Sequence, residues 1–145
     1  MSAGSSESAL NSPQVEPVAA RDAWRMAEVF TAGGPECDVV VGSGDSMLPL
    51  YPDQTVLLIR RLPIADLRSG MTVVFIGDRG RPVAHLLVKK TDHGWLAKGL
   101  ANLEADRTLV RAQNYLGTVV RAFCPVMGRA AASTVAATEA AAGGQ

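Results

Sequence analysis

The stretch "MTVVFIGDRGRPVAHLLVKKTDHGWLAKG", residues 71–99, consists of apolar runs of strand length separated by short polar interruptions. The runs are rich in Val, Leu and Ile, whereas "DRGRP" and "TDHG" are composed of residues that favour turns. This pattern predicts three consecutive strands joined by tight connections. Both faces of the middle run, "VAHLLVKK", are apolar near its start, which indicates a strand that is buried there.

Similar runs lie on either side of this stretch. "CDVVVG" and "TVLLIRR" precede it and "YLGTVVRAF" follows it, each bounded by turn residues. "RDAWRMAEVF", residues 21–30, is predicted to be a short helix that ends at "TAGGPE". The sequence therefore predicts a mainly β fold: short antiparallel strands in a β-sandwich or open barrel, with a short N-terminal helix.

The chain of 145 residues suits one domain with a single core. Residues 1–20 are rich in Ser, Ala, Pro and Glu and are predicted to be disordered. Residues 21–127 form the predicted single domain. Residues 128–145 are an Ala-rich tail, predicted to be disordered or a frayed helix.

Composition argues against several classes of protein. The formal net charge is +0, from 14 basic and 14 acidic residues, so no nucleic-acid partner is expected. No apolar run approaches the ~20 residues of a membrane span, and the N-terminus lacks the features of a secretory signal, so a soluble, cytoplasmic protein is expected. The two cysteines and two histidines lack the spacing of a zinc site, so neither a metal nor a cofactor is expected. Cys37 and Cys124 are too far apart in sequence to indicate a disulfide framework.

The segment "VGSGDSMLPLYPDQTVLL", residues 41–58, contains a serine, Ser46, in a turn punctuated by glycine. A serine hydroxyl is a poor nucleophile unless a neighbouring base removes its proton. The G-x-S-x-G signature of α/β-hydrolases is absent, because Leu48 stands where the second glycine would be. Whether Ser46 is a nucleophile therefore depends on which base it can reach.

Two histidines are candidates for that base. His93 lies in the turn "TDHG" and is predicted to be exposed to water. His85 shares a strand face with Val83 and Leu87 in an apolar run, so it is predicted to be at least partly buried. A buried imidazole requires hydrogen-bond partners, which leaves two alternatives: a core histidine bonded to the backbone, or a base that faces Ser46.

"GDSMLP", residues 44–49, resembles the nucleophile box of the signal peptidase and LexA superfamily of serine endopeptidases. The similarity continues in order through "LRSGMTVVF", "RPVAHLLVKK", "WLAKGLANLEADR" and "YLGTVV", and so covers residues 39–123. The base position of this family is lysine in bacterial signal peptidases and LexA-type proteins, and histidine in the endoplasmic-reticulum and archaeal type. His85 makes this sequence similar to the histidine branch. The resemblance implies a signal peptidase/LexA-like β-sandwich or open barrel.

The resemblance also implies a function and a set of roles. It suggests a soluble serine endopeptidase in which Ser46 is the nucleophile and His85 the general base. Asp106 matches the Asp-Arg of the family's "DDR" segment and would hold the second imidazole nitrogen; alternatively, it caps a turn beside Arg107. An oxyanion hole would use backbone N–H groups of Ser46 and Gly44. Lys89, on the same strand face as His85, is a fallback base but is predicted to be solvated near the strand end.

The substrate implied by the resemblance is a polypeptide, with small residues before the cleaved bond. Two departures from the family are expected: Leu100 stands at the aspartate of its "KGD" segment, and no apolar run is long enough for a membrane anchor, so that a membrane-associated partner is an open alternative. One alternative function is a LexA-like regulator that cleaves itself, for which the bond between Ala32 and Gly33 is a candidate. Another is a non-catalytic binding module that kept the fold.

Overall fold

The computed structural model describes residues 10–32 and 37–126. In these ranges the chain forms one α-helix, a short 3-10 turn and seven strands. The elements are β1 (Val15–Ala19), α1 (Ala20–Ala32), β2 (Cys37–Val41), β3 (Val56–Arg60), the 3-10 turn Ile64–Asp66, β4 (Thr72–Ile76), β5 (Pro82–Thr91), β6 (Gly94–Lys98) and β7 (Tyr115–Val126). The predicted mainly β class is confirmed.

The strands form one sheet, in the order β2-β3-β7-β4-β5-β6. All pairs along this path are antiparallel. The long strand β7 lies at the centre of the path, and β1 pairs with it in parallel. Because β2 and β6 end the path, the sheet is open in the described part of the chain.

Strand β1 corrects the predicted disorder of residues 1–20. Its residues Val15–Ala19 pair with the last part of β7. The Arg121 guanidinium donates to both carboxylate oxygens of Glu16, at 3.0 and 2.7 Å. The Tyr51 hydroxyl donates to the carbonyl of Pro13 at 2.5 Å. These contacts join residues far apart in sequence, so a local composition rule could not reveal them. The predictions for residues 1–9 and 128–145 lie outside the described residues.

The two faces of the sheet carry separate core clusters, because successive side chains of a strand point to opposite faces. On β4, Phe75 packs in one cluster and Val74 in the other. The first cluster consists of Leu67, Val73, Phe75, Leu87, Trp95, Ala97, Val110 and Tyr115. The second consists of Met47, Tyr51, Leu57, Ile59, Val74, Val119 and Ala122. The residue after Ser46, Met47, is therefore part of the core.

Helix α1 packs against β7, β3, β2 and β1. Its Ala23 is buried in a small cluster with Val56 and Phe123. Over the described ranges, no helix has both the length and the apolar character that crossing a lipid bilayer requires.

Candidate active site

The connection between β2 and β3 holds Ser46 in a tight turn. At the base of this connection, Gly42 N–H donates to the Thr55 carbonyl at 2.9 Å, and Gln54 N–H donates back to the Gly42 carbonyl at 2.9 Å. The side chain of the next residue, Met47, is only 5% exposed and packs in the second core cluster. A buried anchor directly beside the serine restricts where its hydroxyl can lie.

His85 lies on β5 at the point where the strand changes partners. It pairs with Val73 on β4, while the pairing of β5 with β6 begins only at the next residue, Leu86, opposite Lys98. The imidazole is buried, at 7% exposure, with the ring of Phe75 edge-on to it at 6.4 Å between ring centroids. His85 therefore has a strand partner on the β4 side and none from β6.

The three residues that the family resemblance singled out are connected by hydrogen bonds. The Ser46 Oγ lies 3.0 Å from His85 Nε2, and His85 Nδ1 lies 2.6 Å from Asp106 Oδ2. An ionised carboxylate can only accept, so in a neutral imidazole that bonds to it Nδ1 carries the proton, and Nε2 accepts from the serine hydroxyl. This is the tautomer that a general base beside a serine requires. The core-histidine alternative, with only backbone partners, does not describe His85.

The segment that follows β6 positions Asp106 beside His85. Trp95 and Val110 exchange two backbone hydrogen bonds, and Asp106 N–H donates to the Ala97 carbonyl at 2.8 Å. The segment between β6 and β7 therefore folds back along β6 and carries its carboxylate to the imidazole. Of the two alternatives for Asp106, the structure places it against His85, with its side chain 20% exposed. Its chemical role remains a prediction.

Gly99, which no sequence motif pointed to, lies directly against the serine. A Cβ on Gly99 would lie 2.9 Å from the Ser46 Cβ, closer than real side chains approach. The next residues bind the same turn: Ala101 N–H donates to the Ser46 carbonyl at 2.8 Å, and Leu100 N–H to Met47 Sδ at 3.3 Å. The signal that could have revealed Gly99 is a glycine directly after a strand, where close backbone approach is common.

Leu100, which stands where the family has aspartate, packs against the second core cluster. Its apolar side chain packs beside Met47. Leu100 therefore fills space in the core, and the hydrogen bonds that connect Ser46, His85 and Asp106 are formed without it. The one carboxylate in contact with His85, among the described residues, is that of Asp106.

The two predicted donors of an oxyanion hole differ in their surroundings. Gly44, with φ +88°, adopts a backbone conformation suited to glycine, and its N–H donates to the Asp53 carboxylate at 2.8 Å. Gly44 is therefore already engaged, and the structure does not support it as a second donor. The Ser46 N–H has no hydrogen-bond partner within the described ranges. It remains available beside the serine hydroxyl.

The fallback base Lys89 and the other histidine, His93, are both exposed. Lys89 is exposed and follows an irregularity in the pairing of β5 with β6. His93 is exposed in the β5–β6 turn, where its carbonyl accepts from Arg111 Nε at 2.6 Å. The hydrogen bond of the Ser46 hydroxyl goes to His85 and to neither of these side chains. Of the candidate self-cleavage bond, Ala32 ends helix α1 and Gly33 lies outside the described residues.

A cleft, called here the first cleft, opens beside Ser46. Its volume is about 640 Å³ including its open mouth. Among the residues that line it, the apolar ones are Val40, Val41, Met47, Tyr51, Pro52, Leu57, Val74, Pro82, Val83 and Ala84. A mostly apolar cleft next to a nucleophile-like serine can hold an apolar side chain while a neighbouring carbonyl lies at the hydroxyl.

Comparison of the chain with protein-family models, with curated proteins and with solved structures finds no match. The resemblance to the signal peptidase and LexA superfamily thus rests on the sequence motifs alone. Function depends on the geometry of the site itself, because one fold can serve many functions.

Proposed function

We propose that this chain is a serine endopeptidase of the signal peptidase-like superfamily, with Ser46 as nucleophile and His85 as general base. The observation that supports this proposal is a pair of hydrogen bonds through the His85 imidazole. One joins it to Ser46 Oγ at 3.0 Å, and the other joins it to the Asp106 carboxylate at 2.6 Å. These are the distances that a nucleophile, its base and an orienting carboxylate require.

The reaction proceeds through an acyl-enzyme. As the Ser46 hydroxyl attacks the peptide carbonyl, its proton passes to His85 Nε2, and Asp106 stabilises the imidazolium that forms. The imidazolium then gives that proton to the leaving amine, and the C–N bond breaks. Water, activated by the same imidazole, hydrolyses the ester. Such acid–base catalysis contributes ~10²–10⁴-fold to the rate, and the Ser46 N–H stabilises the oxyanion.

The proposed substrate is a polypeptide that binds as an added strand. β6 pairs with β5 only from Leu86 onward, so the edge of β5 at residues 82–85 is left without a partner strand in the described part of the chain. An extended peptide can complete such an edge with main-chain hydrogen bonds. The side chain before the cleaved bond would then enter the first cleft; the family resemblance implies that this residue is small. We place the reaction in the cytoplasm, as the sequence predicts.

Covalent labelling tests this proposal. The purified protein is incubated with a fluorophosphonate, and its mass is measured by mass spectrometry. We expect a single adduct on the native protein and none on Ser46→Ala or His85→Ala. His93→Ala is the matched control, because it removes the exposed histidine of the β5–β6 turn, and it should label like the native protein.

The possible outcomes separate the alternative functions. A folded native protein that stays unlabelled from pH ~6 to ~9, the range in which a histidine or perturbed lysine base would act, would refute the proposal and favour a non-catalytic binding module. Accumulation of two fragments of the protein itself, absent in Ser46→Ala, would favour the self-cleaving regulator.

A further inference from the structure

A second cleft lies beside β5 and next to the first, with which it shares Val83. Its volume is about 380 Å³ including its mouth, and His85 and Asp106 line it, whereas Ser46 lines the first cleft. Its apolar floor is made by Phe75 and Val83. The proposed reaction uses the imidazole and the carboxylate but leaves this cleft unexplained.

The pleat of β5 relates the two clefts to each other. Of the β5 residues, Val83 lines both clefts, Ala84 lines only the first, and His85 lines only the second. Alternate side chains of a strand point to opposite faces of its sheet. A peptide added along the open edge of β5 shares this pleat. If one of its residues enters the first cleft, the adjacent residue must point toward the second.

The rim of the second cleft carries both signs of charge. Asp78 and Arg107 lie at the rim with exposed side chains, and the half-buried Thr108 adds a hydroxyl. In the described part of the chain, neither Asp78 nor Arg107 takes part in a salt bridge. The Asp78 carboxylate can only accept hydrogen bonds, and the Arg107 guanidinium can only donate them.

We propose that the second cleft is a specificity subsite for the residue immediately before the one seated in the first cleft, and that it selects a neutral polar side chain. A carboxamide, as in Gln or Asn, can donate to Asp78 and accept from Arg107 at the same time. A fully charged side chain is attracted by one rim residue and repelled by the other. This inference rests on the proposed function and narrows its substrate class.

The test uses peptides that differ only in the residue before a fixed alanine, which is Gln, Asn, Glu, Lys or Leu. We expect the native protein to cleave the Gln and Asn peptides about tenfold faster than the Leu peptide, as one to two additional hydrogen bonds would produce. Asp78→Lys makes the rim wholly basic and should move the preference to Glu. Asp92→Lys, the same charge change in the exposed β5–β6 turn, should keep the native preference.

A second measurement separates failure of the subsite from failure of the proposed function. Fluorescently labelled copies of the same peptides are bound to Ser46→Ala, with and without Asp78→Lys, and their anisotropy is measured. The same shift from Gln to Glu in binding supports the subsite even if no peptide is cleaved, in which case only the proposed hydrolysis is wrong. Cleavage or binding that is indifferent to the varied residue, or to Asp78→Lys, overturns the subsite and leaves the hydrolase proposal standing wherever cleavage occurs.

Discussion

Replacing Gly99 by alanine should displace the serine while leaving the rest of the site chemically intact. The added Cβ would lie 2.9 Å from the Ser46 Cβ, 2.5 Å from Asn102 Nδ2 and 3.0 Å from Asn102 Cγ. Asn102 is exposed, so its side chain can turn away. The Ser46 Cβ cannot, because hydrogen bonds and the buried Met47 fix the backbone on either side.

The size of the effect follows from these distances. Ordinary van der Waals contact begins at 3.4 Å, so Ser46 and Gly99 must separate by 0.5 Å. Since a misplacement of ~1 Å can cost ~10²-fold in rate, a shift of half that distance should lower the rate of Ser46 acylation by roughly tenfold. The crowding should also lower the free energy of unfolding by about 1–3 kcal/mol.

The assay is the rate constant for fluorophosphonate labelling, with urea denaturation of the same samples. The double variant Gly99→Ala/Asn102→Ala removes the asparagine contacts but keeps the contact with Ser46, so its labelling should stay slow. Recovery of native labelling in the double variant would refute the reasoning. Gly42→Ala is the control for stability, because its added Cβ meets its nearest atom, Leu57 Cδ1, at an ordinary 3.7 Å.

Three further predictions concern other parts of the fold. Asp106→Asn should slow labelling of Ser46 by ~10²–10⁴-fold, because the imidazole tautomer is no longer fixed; a labelling rate close to that of the native protein would contradict the assigned role. Tyr51→Phe removes the hydrogen bond to the Pro13 carbonyl and should cost about 1 kcal/mol in urea unfolding near neutral pH. Burial raises the pKa of Tyr51 above its ordinary 10.0. The unfolded chain therefore loses the Tyr51 proton first, and the native protein should lose stability as the pH rises past ~10. Unfolding of Tyr51→Phe should depend less on pH there, and identical pH dependence would count against this account. Phe123→Ala, at a fully buried side chain, should cost ~3–5 kcal/mol, whereas Leu103→Ala, at 97% exposure, should change the stability by less than ~0.5 kcal/mol in the same denaturation experiment. Similar losses for the two would mean that the core is not where the structure places it.

Most strands could be predicted from local patterns. The apolar runs between turn residues mark β2 to β7 to within a few residues, because pleat alternation and turn chemistry act over neighbouring positions. The predicted helix, residues 21–30, likewise lies within α1. Strand β1 escaped prediction because what orders it, the pairing with β7 and the contacts of Glu16 and Pro13, comes from distant parts of the chain.

The residues of the candidate site were likewise predictable only in part. Motif similarity nominated Ser46, His85 and Asp106, but the residues alone left open whether they meet. It also nominated Gly44, whose N–H the structure shows bonded to Asp53, and passed over Gly99.

By itself, the sequence determined the mainly β class and the approximate positions of β2 to β7, and its motifs nominated three side chains as a candidate nucleophile, base and partner. Only the tertiary structure decided that they come together. The serine and the histidine are 39 residues apart, and the histidine and the aspartate 21, so their meeting depends on which strands pair and in what register. It also depends on β6 ending at Lys98, which opens the sheet edge beside His85. Register and strand order are properties of the whole sheet, set by the burial of both faces together, and no short stretch of sequence contains them.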